Sequence, residues 1–218
     1  MAENPKNLDL SGVLDIKKIE TVNKPIEKAH GLPNECYTSE KYLMIERERV
    51  FCDKWTTIGI GSSVPNPGDA LPYNLLGIPL IILRDKESKI RVFHNVCSHR
   101  GFKLLDKPCS LKNIIKCPYH SWSYNLEGKL VATPHIGGLN IHESEKFEKS
   151  KSNLKEVRSK IWMDIIFINI NNNEIEFNEY VRPLEDRWLK FISKKDQDSL
   201  IYSRDCGYFS LDVKSNWK

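Results

Sequence analysis

Four side chains able to bind metal fall in two short groups, Cys97-Ser-His99 and Cys117-Pro-Tyr-His120, with seventeen residues between them. The chain has only six cysteines and six histidines, so four of those twelve in two tight loops is not the scatter of ordinary core residues. Each loop offers one thiolate and one imidazole. A [2Fe–2S] cluster can be held in this way, two Cys on one iron and two His on the other, and the chemistry it supports is the passage of single electrons. Structural zinc uses the same residue types, but its signatures keep the cysteines together and the histidines together, and the interleaved order here fits them poorly. Replacing two of four anionic thiolates by neutral imidazoles makes the more negative, reduced state easier to reach. It raises the potential by roughly several hundred millivolts.

The loops themselves are short. Arg100-Gly101 after the first pair and Pro118 inside the second suit turns whose backbone N–H groups point at the sulfides. His99 and His120 are expected nearer to solvent than the cysteines, each ligating through one ring nitrogen and leaving the other to a neighbouring partner. Alternating segments at 56–59, 78–83 and 90–95 read as strands, with a polar turn at 85–88, and the last strand runs directly into Cys97. A strand at 114–116 delivers Cys117, and the turn at 125–128 joins strands at 122–124 and 129–131. Ligands placed just beyond strand ends have fixed positions, while the loops remain free to wrap a metal.

The flanks carry less information. Residues 1–30 have little periodicity and read as an extended arm, followed by a helix over about 40–53 capped by Thr38 or Ser39, with Leu43, Ile45, Val50 and Phe51 on an imperfect apolar face. The apolar run 161–170 is too short to span a membrane and contains Asp164, so it reads as one buried strand. The mixed-charge stretch 146–160 reads as a solvated connection, with docking of an acidic redox partner as the alternative. Residues 177–191 suit an amphipathic helix with Tyr180, Val181, Leu184, Trp188 and Phe191 near one side. Segments 199–202 and 207–213 alternate as strands. Domain limits fall at 1–54 for arm and helix, 55–172 for the cluster domain and 173–218 for a linker helix and tail.

The formal charge of +4 on 218 residues comes from mixed Lys and Glu, which argues for neither nucleic acid nor membrane as a partner. Cys36, Cys52, Cys109 and Cys206 have no regular spacing, and no signal peptide or long apolar segment is evident. Reduced thiols in a cytoplasmic compartment are the natural reading.

The segment from Arg91 to Gly101, with Cys117-Pro-Tyr-His120-Ser-Trp122-Ser-Tyr124 and Leu126-Glu-Gly128-Lys-Leu130, closely resembles the Rieske domain of the aromatic-ring-hydroxylating and quaternary-amine oxygenases. Trp55, Gly59 and Pro67-Gly68-Asp69 match the family's opening of that domain, and Leu32-Pro-Asn-Glu-Cys-Tyr37 resembles the arm of its choline and carnitine branch. The resemblance implies a mainly β fold with flanking helices: a Rieske-type antiparallel β-sandwich with a cluster-binding subdomain, then the opening strands of a truncated α+β catalytic domain. It also implies Cys97, His99, Cys117 and His120 as ligands of a [2Fe–2S] cluster, a reductase or ferredoxin as electron donor, a trimer, and a mononuclear Fe(II) site only in a missing catalytic domain or subunit. Rieske subunits of cytochrome complexes carry a further Cys in each loop, joined as a disulfide. Phe102 and Tyr119 stand at those positions here, so no such bridge can form. Ser121 departs from the oxygenases' usual glycine.

Other residues near the loops have two readings each. His94 reads as a packed or surface imidazole rather than a fifth ligand, and Trp122 as cover for the cluster or simple core. Arg100 offers a charge to an acidic partner or a local loop contact. Cys109 lies close to the cluster or merely fills a turn, and His135, His142 and Glu143 are a weak candidate for a second metal site. A stand-alone Rieske ferredoxin is the alternative to an oxygenase component. A non-redox interaction domain that has lost its cluster fits less well, since all four ligand residues remain.

Overall fold

A computed structural model describes residues 12–203, Leu211 and residues 216–218. Its centre is β3 (Ile78–Arg84), where Leu80, Ile81, Ile82 and Leu83 are all fully buried. Successive side chains of a strand point to opposite faces, so four consecutive buried apolar residues require cover on both sides. Two cores provide it. Ile81 and Leu83, with Phe93 of β4 (Ile90–His94), pack toward Ile115, Trp122 and Tyr124; Leu80 and Ile82, with Val92, pack toward Ile58, Ile166 and Ile168.

The second set comes from β1 (Thr56–Ile60) and β10 (Ile165–Asn169), which lie at the far end of the same sheet. Seven strands run antiparallel in the order β1-β10-β9-β4-β3-β2-β5, with β2 at Asp69–Leu75, β5 at Cys109–Ser110 and β9 at Glu156–Trp162. Strands so far apart in order can share a core only if the sheet curls onto itself, and a methyl of Ile82 lies 3.7 Å from the point where a Cβ on Gly59 would stand. The sheet is therefore an open half-barrel. A second sheet of three antiparallel strands, β6 (Ile114–Lys116), β7 (Ser123–Asn125) and β8 (Leu130–Ala132), packs through Ile115, Tyr124 and Leu130 on the outer face of β3 and β4. The expected mainly β fold with flanking helices is what forms.

The turn between β3 and β4 has a buried centre. Asp85 is fully inaccessible; its carboxylate accepts from the Glu87 and Lys89 N–H groups, both at 2.9 Å, and from Arg91 Nε at 2.7 Å. Burial alone pushes such a carboxyl up, but the Arg91 and backbone hydrogen bonds outweigh it and hold Asp85 below the usual aspartate range. A depressed carboxyl stabilises the fold above the unfolded-state value of about 3.9 and loses that contribution as pH falls through its lower folded value. Asp85→Asn is expected to cost about 2 kcal/mol at neutral pH, less than a wholly buried pair because Arg91 also reaches Glu156. Denaturant melts of the two proteins should differ by a constant amount from pH 7 to 5, and converge only below about pH 4.

Several expectations change. The arm contains a short helix, α1 (Ile16–Glu20), capped by the Asp15 carboxylate rather than remaining extended. A turn of helix, α2 (Glu35–Thr38), precedes α3 (Glu40–Glu46), whose cap is Ser39 accepting from Tyr42 N–H, and helical winding continues through Cys52 with a widened turn. The apolar run 161–170 is not one strand. It breaks at Met163 and Asp164, both at positive φ (52° and 63°), the backbone of a tight turn that joins β9 to β10. Residues 156–160 are thus part of the sheet and not a solvated connection. β2 was disguised by Pro72 and Asn74; β5 pairs only with Asp69 and Ala70, leaving Pro72 at a sheet edge, where proline is tolerated.

In the tail, α4 (Phe177–Trp188) buries Phe177 and Val181 against Trp55, leaving Tyr180, Leu184, Trp188 and Phe191 exposed. Residues 194–199 form helix α5 (Lys194–Ser199), and 200–202 are irregular, so no strand forms at 199–202. The strand expected at 207–213 lies outside the described residues, Leu211 excepted, as does Cys206. No helix among the described residues is long and apolar enough to cross a membrane.

Candidate metal centre

Strand β4 ends at His94, and Asn95 sets the course of the chain beyond it. Its side chain is fully buried and accepts from the Leu104 and Leu105 N–H groups at 3.0 and 2.9 Å while donating to the Leu105 carbonyl at 2.7 Å. The chain leaving β4 is thereby tied to the chain leaving the first loop. Sequence reasoning passed over this residue, although a carboxamide at a strand end two positions before a ligand candidate was the available signal.

Both loops have the same backbone closure. Cys97 N–H donates to the Phe102 carbonyl and Gly101 N–H to the Cys97 carbonyl (2.8 and 2.9 Å); Cys117 N–H donates to the Trp122 carbonyl and Ser121 N–H to the Cys117 carbonyl (2.8 and 3.0 Å). The fifth residue of each turns left-handed, Gly101 at φ 69° and Ser121 at φ 60°. Ser121 thus occupies the position for which glycine is best suited. Ser121→Gly is expected to keep the loop and leave stability unchanged or raised by up to about 1 kcal/mol, because the left-handed penalty removed slightly exceeds the added chain entropy; the thermal midpoint reads this directly.

The four candidate side chains are brought together. Cys97 and Cys117 are buried at 2% and 1% exposure in the same core, and neither forms a disulfide. His99 and His120 are less buried, with ring centroids 4.9 Å apart. Trp122 lies flat on His99 at 4.5 Å and 10° while belonging to the core, so cover and core are one burial event. The Tyr124 hydroxyl stands 3.2 Å from Cys97 Sγ and accepts from Ser98 N–H at 3.0 Å. That amide therefore points at the tyrosine and not at a sulfide.

The chemistry of this donor set fits a metal group. His120 Nδ1, like His94 Nε2, is buried with no hydrogen-bond partner among the described residues, which leaves its ring nitrogen free to ligate a metal. Burial pushes the Cys97 thiol up, with Tyr124 drawing it part of the way back, so a thiolate there would gain from a cation bound beside it. Burial, then the charges of His120 and Arg100, lowers His99, which favours the neutral imidazole that ligation requires. No three His, Cys, Asp or Glu side chains among the described residues meet as a single ion would need. Two Cys and two His in paired loops are the donor types that a two-iron cluster takes.

The remaining candidates separate from this site. His94 sits on β4, half-buried, its titration lowered by burial and by Lys155. Cys109 pairs with Ala70 at the sheet edge and packs against the core. His135 and His142 rings lie 5.1 Å apart, but each Nδ1 accepts a backbone N–H, from Asn140 and from His135 respectively, so with Glu143 they do not form a second metal site. Phe102 and Tyr119 face each other at 5.3 Å where the other class has its disulfide.

A half-barrel bearing a small sheet with two closed Cys/His loops defines a Rieske-type iron–sulfur domain, and residues 54–143 match the Rieske [2Fe-2S] domain family. The match covers that portion of the chain, which resembles the N-terminal part of the choline and carnitine monooxygenase large subunits. The carnitine monooxygenase oxygenase subunit of Acinetobacter baumannii is 33% identical over 192 residues, 87% of this chain and 48% of that protein. The chloroplastic choline monooxygenase of Arabidopsis thaliana is 29% identical over 185 residues, 81% of this chain and 42% of that one. Among solved structures, the quaternary ammonium Rieske monooxygenase CntA in complex with L-carnitine superposes with a TM-score of 0.66 at 30% identity, covering 74% of this chain and 45% of that one. The chain spans about half the length of the curated relatives it matches.

Proposed function

We propose that this chain passes single electrons through a [2Fe–2S] cluster held by Cys97, His99, Cys117 and His120, as the cluster-bearing part of a non-haem iron oxygenase system. The observation that carries the reading is the pair of identically closed loops, which present two buried thiols and two less buried imidazoles side by side. When bound, the cluster takes up and gives back one electron at a time. The chain's own residues do the rest. Cys97 and Cys117 would hold it from the core, and His99 and His120, the less buried pair, would complete its ligands. Trp122 keeps water off one imidazole face, and Asn95 fixes the approach to the first loop. In the wider reading, electrons derived from NAD(P)H arrive from a reductase or ferredoxin and leave for a mononuclear Fe(II) site in a further domain or subunit, within a trimer. Such a site would use O₂ with two of those electrons and two protons to hydroxylate or oxidatively N-dealkylate an aromatic or quaternary-amine substrate. The likeness to proteins named for carnitine and choline supports the amine.

Low-temperature EPR of the dithionite-reduced protein, with iron and zinc analysis, tests the reading. About two irons per chain and a rhombic signal of mixed His/Cys ligation are expected; zinc with no reducible signal would overturn it. A monomer that serves a separate oxygenase would favour the stand-alone ferredoxin instead.

Tyr124 supplies a finer check. A hydrogen bond to a ligand sulfur disperses negative charge and favours the reduced state. Tyr124→Phe removes that donor and is expected to lower the potential by about 60 mV, which for a one-electron couple is a tenfold change in equilibrium. Redox titration followed at the EPR signal reads the shift, with iron content unchanged.

A further inference from the structure

A cluster of aromatic and charged side chains that includes none of the cluster-loop residues forms where the tail meets the helices after the arm. Tyr42 and Glu46 stand four residues apart, on one face of α3, and α2 supplies Tyr37 just before them. Glu46 is 6% exposed, a depth at which a carboxylate needs a cation. Lys218 provides it. Its Nζ donates to both Glu46 oxygens, at 2.8 and 2.7 Å, and to Asn216 Oδ1 at 3.4 Å, while Trp217 Nε1 donates to Glu46 Oε2 at 3.1 Å. The same ammonium lies over three rings, 5.6 Å from the centre of Tyr37, 4.9 Å from that of Tyr42 and 5.2 Å from that of Trp217. Aromatic faces within about 6 Å of one cation attract it through their quadrupoles, and three of them make an enclosure. Burial, then Cys36 and the Glu46 charge, pushes the Tyr42 phenol up to about 12, so that ring presents a neutral face.

The enclosure adjoins open space. Tyr42 and Glu46 also line a cavity of ≈ 430 Å³ whose other walls are Leu14 and Ile19 from the arm and Ile45 and Val50 from the helical stretch, with the exposed Arg49 as its second charged group. Tyr37 and Trp217 are 42% and 54% exposed, so the cation position is reached from solvent. A carboxylate and aromatic faces beside an apolar cavity suit a ligand with a positive head and a hydrocarbon chain. The present occupant indicates which head. Lys218 carries a primary ammonium on an aliphatic stem, and it gives Glu46 N–H protons that a quaternary ammonium does not have.

We propose that Glu46, Tyr37, Tyr42 and Trp217 form a binding site for a primary aliphatic amine, whose ammonium replaces that of Lys218 and whose chain enters the cavity beside it. Lys218 is the internal competitor: it neutralises the buried carboxylate and ties residues 216–218 to α3. An incoming amine must displace it, and the apparent affinity is reduced by the fraction of molecules in which Lys218 is seated. Without Lys218, Glu46 is a buried charge with its cation gone, and an external ammonium gains what the lysine supplied. No bond is made or broken and no electron moves, so the site is independent of the cluster and of the functional reading above.

The test titrates n-hexylammonium into the full chain by calorimetry, with the Trp217 indole N–H resonance as local reporter. Lys218→Ala should bind the amine about tenfold or more tighter than wild type does, because the competitor is gone. In that variant n-hexanol, which lacks the charge, should bind about tenfold or more weakly than n-hexylammonium, and so should ethylammonium, which is too short to fill the cavity. Adding Glu46→Gln to Lys218→Ala should remove about tenfold or more of the affinity. Adding Tyr37→Ala instead should remove about threefold; that ring is largely exposed, so its loss leaves the core intact even where the Glu46 variant fails to fold. Equal binding of hexanol and hexylammonium, a Lys218→Ala protein that binds no tighter than wild type, affinity unchanged by Tyr37→Ala, or saturation that leaves the Trp217 resonance in place would each overturn the proposal. Iron content and the EPR signal should be the same with and without the amine, so failure here leaves the cluster reading standing, and failure of that reading leaves this site to be judged on its own titration.

Discussion

Cys117→Ser is expected to leave the protein with almost no iron and no EPR signal on reduction. Its thiol is 1% exposed, at the end of β6, and belongs to the same core as Trp122 and Tyr124. A serine hydroxyl there keeps the volume but offers a poor ligand in a site where a single lost thiolate removes half the anchorage of one iron. His120→Ala should have the same consequence from the solvent side. His120→Cys should instead retain iron while lowering the potential, because an anionic ligand replaces a neutral one. The comparison that gives these results meaning is with His94→Ala and Cys109→Ser, equally a histidine and a cysteine close in sequence to the loops. Both should keep about two irons per chain, as β4 and β5 hold them outside the pair of closed loops. Loss of iron in those two variants with retention in Cys117→Ser would reassign the ligands.

The ligand candidates were legible because metal chemistry restricts residue type and spacing more tightly than packing does. Strands β3, β4 and β6 were legible for a similar reason, since their alternation answers to cores above and below them. Features that depend on distant partners could not be read locally. Nothing in residues 161–170 marks Met163-Asp164 as a turn; the break exists because β9 must pair with β4 and β10 with β1, and the Asp164 carboxylate then accepts from Ser62 N–H across the sheet. Asp85 looked like one polar residue in a polar turn, and only its three donors explain why it is fully buried. The tail misled in the opposite direction. Residues 199–202 alternate like a strand, yet Ser193 caps α5 by accepting from Asp196 N–H, and the helix consumes Ser199. The equivalence of Gly101 and Ser121 was hidden by spacing, because His99 is the third residue of its loop and His120 the fourth of its own. Counting from the cysteines to the closing carbonyls of Phe102 and Trp122 restores it.

Asn95→Ala should be the most destabilising substitution among the polar residues around the centre, at about 3–5 kcal/mol. Three backbone groups lose their partner at once: the N–H groups of Leu104 and Leu105 and the Leu105 carbonyl. Leu104 is buried, and a buried amide left without a partner costs about 1–3 kcal/mol where water cannot replace it. Asn95→Asp separates the contributions. Its carboxylate can still accept from both amides but faces the Leu105 carbonyl with no proton to give, so its loss should fall between wild type and alanine, and should shrink at acid pH as the carboxyl becomes protonated and can donate. Because this side chain ties the end of β4 to the exit of the first loop, the damage should not be spread evenly. Hydrogen exchange should speed up over residues 97–105 before it does over β6 and β7, and iron should be released from Asn95→Ala at a lower denaturant concentration than that of global unfolding. Uniform acceleration across both loops would mean that Asn95 supports the domain as a whole and does not specifically position Cys97 and His99.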